Sequence, residues 1–177
     1  QATERAPNII LILADDLGYN DLSCYGNINY DTPNIDRMAS EGQKWTEFYS
    51  ASHLCSPSRA AILTGLYPVR TGTSSHVFFE WSAQGLPQTS YSISELLQNN
   101  GYNTYLVGKW HLGHRHGYLP QNFGFNKFYG IPYSNDMRVD PEMEVSDSVV
   151  FREGVTLAKL RGKGNKVEGW VPLILDD

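Results

Sequence analysis

The sequence is short of cysteine, of positive charge and of long hydrophobic runs. Its 177 residues include two cysteines, Cys24 and Cys55. These could pair, but two cysteines do not make a disulfide framework, and their spacing fits no zinc motif. The net charge of −5 argues against a general nucleic-acid binder, which needs a basic surface. The longest apolar run, residues 9–14, is too short to cross a bilayer, so the sequence predicts no membrane span.

What the chain does contain is enough apolar material for a folded core. Hydrophobic residues make up 41% of the sequence, which is typical of a globular protein rather than a disordered one. A chain of this length can build one domain around such a core. The sequence starts at Gln1 rather than Met, so we expect that a signal peptide or tag has been removed.

The first strong signal is an apolar run that ends on two carboxylates. Residues 7–14 predict a strand buried on both faces, as in a parallel sheet. The run leads directly into Asp15 and Asp16. Open α/β sheets place their functional sites at the carboxyl ends of their strands. The pair is therefore a candidate site.

Helix and strand signals then alternate along the chain. Capping residues and terminal glycines predict helices at residues 32–42, 55–65 and 92–101. Strands are predicted at residues 44–51, 102–107 and 171–175, with weaker ones at 145–152 and 155–159. Residues 65–88 are interpreted as a long loop, and the chain from His114 onward as largely loop-like. The alternation predicts an α/β fold with a mostly parallel sheet flanked by helices.

The predicted helix after Cys55 has an unusual start. Ser56 is a candidate N-cap, Pro57 suits the first helical position and Gly65 can end the helix. Arg59 would then fall in the first turn, where the helix dipole favours anions over cations. A cysteine and an arginine at one helix N-terminus predict a site that receives a negatively charged group.

Six side chains that follow predicted strands or begin this helix form a chemical set. They are Asp15, Asp16, Cys55, Arg59, Lys109 and His111. The carboxylates suit a hard divalent cation, and the two basic side chains suit an oxyanion such as sulfate or phosphate. The thiol is a candidate nucleophile and the imidazole a candidate proton carrier. If their segment is extended, Lys109 and His111 project to the same side. The set predicts hydrolysis or transfer of an oxyanion ester.

One member of the set does not fit the others. A thiolate is a soft ligand, whereas calcium and magnesium prefer oxygen. From the residues alone, Cys55 is therefore out of place beside a hard-cation site.

Four ordered segments of the chain resemble the type I sulfatase family. Residues 55–65 match its signature C-x-P-S-R-x-x-x-L-T-G, and residues 108–113 match its second signature, G-K-W-H-L-G. Residues 7–18 and 130–134 match as well. The resemblance implies the alkaline-phosphatase-like fold. It also implies that residues 1–177 are the N-terminal portion of a sulfatase catalytic domain whose C-terminal portion is absent.

The resemblance accounts for the misplaced cysteine. In sulfatases a formylglycine-generating maturation enzyme converts this cysteine to formylglycine (3-oxoalanine), whose hydrate supplies oxygen to the metal and to sulfur. By resemblance, Asp15, Asp16 and the modified Cys55 would bind calcium, with magnesium as the alternative.

The resemblance also assigns roles to the remaining candidates. Arg59 would steady the formylglycine hydrate, and Lys109 would contact both the hydrate and the sulfate. His111 would assist expulsion of sulfate, and Ser134 would be a minor polar contact to it.

The implied activity is that of a sulfuric ester hydrolase acting on an aryl sulfate or a sulfated carbohydrate. The alternatives are a phosphatase or phosphonate hydrolase of the same superfamily, and a non-catalytic sulfate-binding fragment. Phe78, Phe79, Trp81 and Tyr91, in or near the long loop, could stack on a sugar or aryl ring. Periplasmic or secreted placement, lysosomal in a eukaryote, follows from the resemblance.

Overall fold

Two units make up the chain, Gln1–Tyr49 and Ser50–Asp177. The structure, a computed structural model, describes residues 6–89, 91–134, 137, 156 and 174–175. No helix within these described ranges is long and apolar enough to cross a membrane.

The described residues contain four α-helices. They are α1 (Pro33–Glu41), α2 (Cys55–Thr64), α3 (Pro68–Thr71) and α4 (Ile93–Asn99). The three predicted helices are confirmed as α1, α2 and α4. The short α3 lies inside the segment predicted as a long loop. Further single turns of 3-10 helix occupy Tyr19–Asp21, Ser23–Tyr25 and Pro120–Phe123.

Polar side chains anchor α1 in the first unit. The Asp36 carboxylate accepts hydrogen bonds from the Ser23 hydroxyl at 2.5 Å, the Cys24 N–H at 2.9 Å and the Thr32 hydroxyl at 2.9 Å. These bonds, that from Ser23 above all, hold the pKa of Asp36 below its ordinary value of 3.8. The start of this helix is therefore fixed by a charged hydrogen-bond acceptor.

Two predicted strands are wrong. Residues 7–14 and 44–51 are described, and neither forms a strand. Their apolar side chains are exposed, 84% for Ile10 and 70% for Phe48. A strand exists only through hydrogen bonds to a neighbouring strand, and no described segment pairs with these two. The apolar pattern indicated that these side chains favour burial in a sheet, but it could not show whether a neighbouring strand is present to pair with them.

The second unit holds a three-stranded sheet in the order β1 (Tyr105–Lys109), β2 (Lys127–Ile131) and β3 (Ile174–Leu175). β1 and β2 are parallel, with Lys109 opposite Ile131, and β3 is antiparallel to β2. β1 begins later than the predicted strand and includes Lys109 as its last residue. β3 lies within the predicted strand 171–175.

β2 corrects the prediction that the chain from His114 onward is loop-like. Gly130 interrupts its apolar pattern, yet a β-carbon there would collide with the Gly108 carbonyl oxygen across the strand pair. The glycine marks a close approach of two backbones rather than a turn. The predicted strands 145–152 and 155–159 and the basic segment 159–166 lie outside the described residues, except Thr156, which is not in a strand.

The core of the second unit lies between α2 and one face of the sheet. It contains Ala60, Leu63, Phe78, Leu86, Trp110, Leu112, Phe123 and Phe128. Because side chains alternate along a strand, the opposite face carries Tyr105, Val107 and Tyr129, which are largely exposed. The buried layer fixes α2 against the sheet, and with it the residue at the start of the helix.

Candidate active site

Helix α2 begins two residues earlier than its capping pattern predicted. Leu54 is the N-cap and Cys55 the first helical residue. Ser56 is therefore not the cap. Its hydroxyl is fully buried and accepts a hydrogen bond from the Phe78 N–H at 3.1 Å. The end of the helix at Gly65, with a φ of 69°, is confirmed.

The Arg59 side chain joins α2 to the end of β1. Arg59 is the fifth residue of the helix, so it starts the second turn and not the first, as was predicted. Its guanidinium donates to the carbonyl oxygen of Lys109. An arginine bound to a strand's terminal carbonyl fixes where that strand ends relative to the helix.

Lys109 lies beside the cysteine. Its Nζ donates to Cys55 Sγ at 3.3 Å. A helix start, a thiol and an ammonium group thus meet at the carboxyl end of β1, with Arg59 bound to the same lysine's backbone. The combined positive charge favours an anion at this place.

His111 is held in an unusual conformation two residues later. Its φ is 59°, in the left-handed region, so the segment is not extended and the prediction of a shared side with Lys109 does not apply. The ring is 1% exposed, and its Nε2 lies 2.9 Å from the Phe78 carbonyl oxygen. Because a carbonyl only accepts, Nε2 carries the proton. The ring therefore donates to the backbone of Phe78.

A single residue, Phe78, therefore contacts both sides of the site through its backbone. Its N–H donates to Ser56, the neighbour of the cysteine, and its carbonyl accepts from His111. Sequence reasoning missed this role because backbone contacts leave no residue signature. It also proposed Phe78 for stacking on substrate, but the ring is 6% exposed and belongs to the core.

The two carboxylates lie in the first unit. Asp16 has a φ of 56°, and among the described non-glycine residues it shares a positive φ only with His111. Left-handed backbone at non-glycine residues is costly and clusters at functional sites. The left-handed backbone therefore sets apart Asp16 in the first unit and His111 in the second. No pattern in the sequence indicated it.

The described residues offer the right kind of ligand for calcium but not a full set. Asp15 and Asp16 supply carboxylate oxygens, which calcium prefers. Within the described part of the chain, no three His, Cys, Asp or Glu side chains gather as a metal-binding group. Calcium takes about six to eight oxygens, so a complete site needs ligands from elsewhere.

Ser134 lies three residues beyond β2. The Met137 N–H donates to its backbone carbonyl at 3.1 Å. This contact uses the main chain and leaves the role of the hydroxyl a prediction. Cys24 and Cys55 are both free thiols, so they do not pair.

These contacts bring Cys55, Arg59 and Lys109 together where the start of α2 meets the carboxyl end of β1. The sequence comparison gives the family. The Sulfatase family profile matches residues 7–166, and the chain belongs to that family.

The sequence relatives are sulfatases. Arylsulfatase H of Homo sapiens is 50% identical over 139 residues, covering 72% of this chain and 25% of the relative. N-acetylgalactosamine-6-sulfatase of Rattus norvegicus is 45% identical over 152 residues, covering 80% of this chain and 29% of the relative. The chain thus spans about a quarter of the length of these proteins.

A solved structure shows the same fold. The structure of BT4656 in complex with its substrate D-glucosamine-2-N,6-O-disulfate is 34% identical to this chain, with a TM-score of 0.60. The match covers 72% of this chain and 24% of that one. The predicted fold class is confirmed: the chain is part of an alkaline-phosphatase-like, sulfatase fold with a parallel strand pair and packed helices.

Proposed function

We propose that the complete polypeptide hydrolyses sulfate esters, with position 55 as the source of the nucleophile. The observation that carries this is the 3.3 Å contact between Lys109 Nζ and Cys55 Sγ at the start of α2. In a sulfatase family member, a cation fixed at that cysteine is placed where the sulfate group must bind.

The proposed task of Lys109 is to compensate the negative charge on the sulfate oxygens. A sulfate monoester is an anion, and charge shifts onto its oxygens as the ester bond breaks. A fixed cation stabilises that charge without having to reorganise, which is usually the largest catalytic contribution. Arg59 holds the lysine's backbone in place through the Lys109 carbonyl and so acts as a positioning residue.

The proposed task of His111 is proton transfer. Its ring is fixed by the contact between Nε2 and the Phe78 carbonyl oxygen at 2.9 Å, and an imidazole can accept and return a proton during a reaction. Burial and a left-handed backbone hold the imidazole in one orientation. Such a rigid base loses little entropy when the substrate arrives.

Two groups complete the proposed chemistry. Formylglycine, made from Cys55 by a maturation enzyme, would supply a hydrated aldehyde oxygen as nucleophile in place of a soft sulfur. Asp15 and Asp16 would hold calcium together with further oxygen ligands, and magnesium is the alternative ion.

The proposed substrates are aryl sulfates or sulfated carbohydrates. One relative is named an arylsulfatase, another an N-acetylgalactosamine-6-sulfatase, and a structural neighbour was crystallised with a disulfated glucosamine. The proposed location is the periplasm, the outside of the cell or, in a eukaryote, the lysosome, in keeping with such substrates.

Mass spectrometry of two tryptic peptides, residues 45–59 with position 55 and residues 6–37 with Cys24, tests the proposal. In a host with the maturation enzyme, we expect an aldehyde at position 55 and an unchanged thiol at Cys24, which serves as the internal control. A thiol at both positions would contradict the formylglycine chemistry.

Turnover then separates the enzyme from its alternatives. With calcium present, the aldehyde form should release sulfate from phenyl sulfate or glucosamine 6-sulfate faster than it releases phosphate from phenyl phosphate. Faster phosphate release would indicate the phosphatase alternative. Sulfate binding without any release would indicate a non-catalytic sulfate-binding protein.

A further inference from the structure

A stacked pair of aromatic rings lies on the loop that contacts the site. Phe79 and Trp81 have ring centroids 4.6 Å apart and an interplanar angle of 6°. Trp81 is nevertheless 66% exposed, whereas Trp110, in the same unit, is 2% exposed and packs in the core. One face of the Trp81 indole lies against Phe79, so the exposure belongs to its other face. The pair is not part of the core.

The loop places this pair close to the reacting residues. Phe78, immediately before the pair, contacts Ser56 and His111 through its backbone. Consecutive Cα atoms are 3.8 Å apart, so the Trp81 Cα lies within about 11 Å of the Phe78 Cα. The ring of a sulfate ester bound near His111 could therefore extend as far as the Trp81 side chain.

The segment is also fixed in shape. The Ser82 N–H donates to the Phe79 carbonyl at 2.9 Å, and the Phe79 N–H donates to the Ser82 hydroxyl at 2.8 Å. These two bonds close a four-residue turn from both sides. Trp81 is therefore held ready to bind rather than ordered on binding, which lowers the entropic cost of a contact.

We propose that the exposed face of Trp81, backed by Phe79, stacks on the ring that bears the sulfate group and so determines substrate choice. An indole presents a flat apolar surface that suits the face of an aryl ring or of a pyranose. The proposal rests on the sulfatase function proposed above and adds the residue that recognises the organic part of the ester.

The test uses the complete polypeptide in four forms: wild type, Trp81→Ala, Trp81→Phe and Tyr67→Ala. Tyr67 is the matched control, an aromatic residue of the same unit that is 75% exposed. Each form is assayed with phenyl sulfate, with glucosamine 6-sulfate, and with inorganic sulfate as a competitive inhibitor that has no ring.

We expect Trp81→Ala to raise KM roughly tenfold for at least one ring-bearing ester, with kcat nearly unchanged. The inhibition constant of inorganic sulfate should stay the same. Trp81→Phe should restore most of the affinity, and Tyr67→Ala should behave as wild type. The ester whose KM changes more identifies the ring as aryl or sugar. An unchanged KM for both esters, or an equal loss for inorganic sulfate, would overturn the proposal.

A second readout keeps this proposal separate from the sulfatase function. If the wild type releases no sulfate from any ester, the proposed function fails, and stacking is tested by tryptophan fluorescence during titration with the same two esters. A fluorescence change that is present in wild type and lost in Trp81→Phe supports the stacking surface. A change that survives Trp81→Phe, or none in the wild type, contradicts it.

Discussion

Each unit places a lysine beside a cysteine, but the two lysines contact different atoms. In the first unit, Lys44 Nζ donates to the backbone carbonyl of Cys24 at 2.9 Å and lies 5.5 Å from the Tyr25 ring centroid. In the second unit, Lys109 Nζ donates to the sulfur of Cys55 at 3.3 Å. Lys44 thus donates to a backbone oxygen. Lys109 donates to a side-chain sulfur.

The helices of the two units also differ in how far their residues are buried. The helices of the first unit contain no buried residue, and α1 is anchored by polar bonds to Asp36. In the second unit, α2 buries Ser56, Ala60 and Leu63. A buried helix holds its first residue in one position, which a site for chemistry requires. Residue pairing alone therefore does not separate the two cysteines, whereas the atom that each lysine contacts and the burial of the helix do.

The sharpest way to break this comparison is to remove each lysine in turn. Lys109→Ala should lower the rate of sulfate release by about 10²–10³-fold, because the cation at the reacting centre is lost. Lys44→Ala should leave that rate unchanged. Steady-state assays of the complete polypeptide measure both, with melting temperatures as a check on folding. Equal losses in the two variants would show that the second lysine has no special role.

Arg59 should give the next largest effect, since it acts through Lys109. We expect Arg59→Ala to lower kcat about 10–100-fold while the fold survives, because the end of β1 loses its tie to α2. Arg59→Lys should recover part of the rate.

The exposed Arg70, in the last turn of α3, offers the matched control. Arg70→Ala should leave kcat at the wild-type level. If Arg59→Ala instead unfolds the protein in circular dichroism, Arg59 is a structural residue and the positioning role is wrong.

Replacing one glycine in each unit by alanine compares the stability lost to a steric clash with the stability lost to backbone strain. Gly130→Ala should destabilise the second unit by about 1–3 kcal/mol, because the added carbon meets the Gly108 carbonyl. In the first unit, a β-carbon added at Gly26 meets no atom within 4 Å. Gly26→Ala should therefore lose only the stability that its φ of 105° costs a side chain, about 1 kcal/mol. Denaturant unfolding curves of both variants measure the difference. A larger loss for Gly26→Ala would contradict the close approach of β1 and β2.

The smallest predicted effect concerns pH and the first unit. The folded state holds the pKa of Asp36 below 3.8, so its ionised form stabilises the fold. That contribution is present above pH 3.8 and is lost as the pH falls through the lowered folded value. Asp36→Asn should therefore melt below wild type at neutral pH and approach it in acid. A difference that grows as the pH falls would show that the sign is wrong.

What the sequence could predict depends on how far apart in the chain the interacting residues lie. The Ser92–Glu95 capping box is local, and the structure contains both of its bonds. The strand at residues 7–14 needs a distant partner, and the close approach of Gly108 to Gly130 needs the fold itself. The strand prediction was wrong for that reason, and the close approach was not predicted at all.

The features of the candidate site likewise fall into those that a local motif predicts and those that depend on the fold. The signature at residues 55–65 pointed to Cys55 and Arg59, and the one at residues 108–113 pointed to Lys109, without any geometry. The double contact of Phe78 and the left-handed φ of His111 depend on three-dimensional packing, so no residue pattern could announce them. Motifs thus identify which groups react, and the structure adds what holds them.

The left-handed backbone at His111 also sets which substitutions can be interpreted at that position. Asparagine and aspartate tolerate such a φ better than most side chains, whereas valine and isoleucine strain it. His111→Asn therefore removes the imidazole with little change to the chain path. A β-branched replacement would change imidazole and backbone together. In a saturation library, survival at this position would report backbone tolerance, and only His111→Asn and His111→Asp would report chemistry alone.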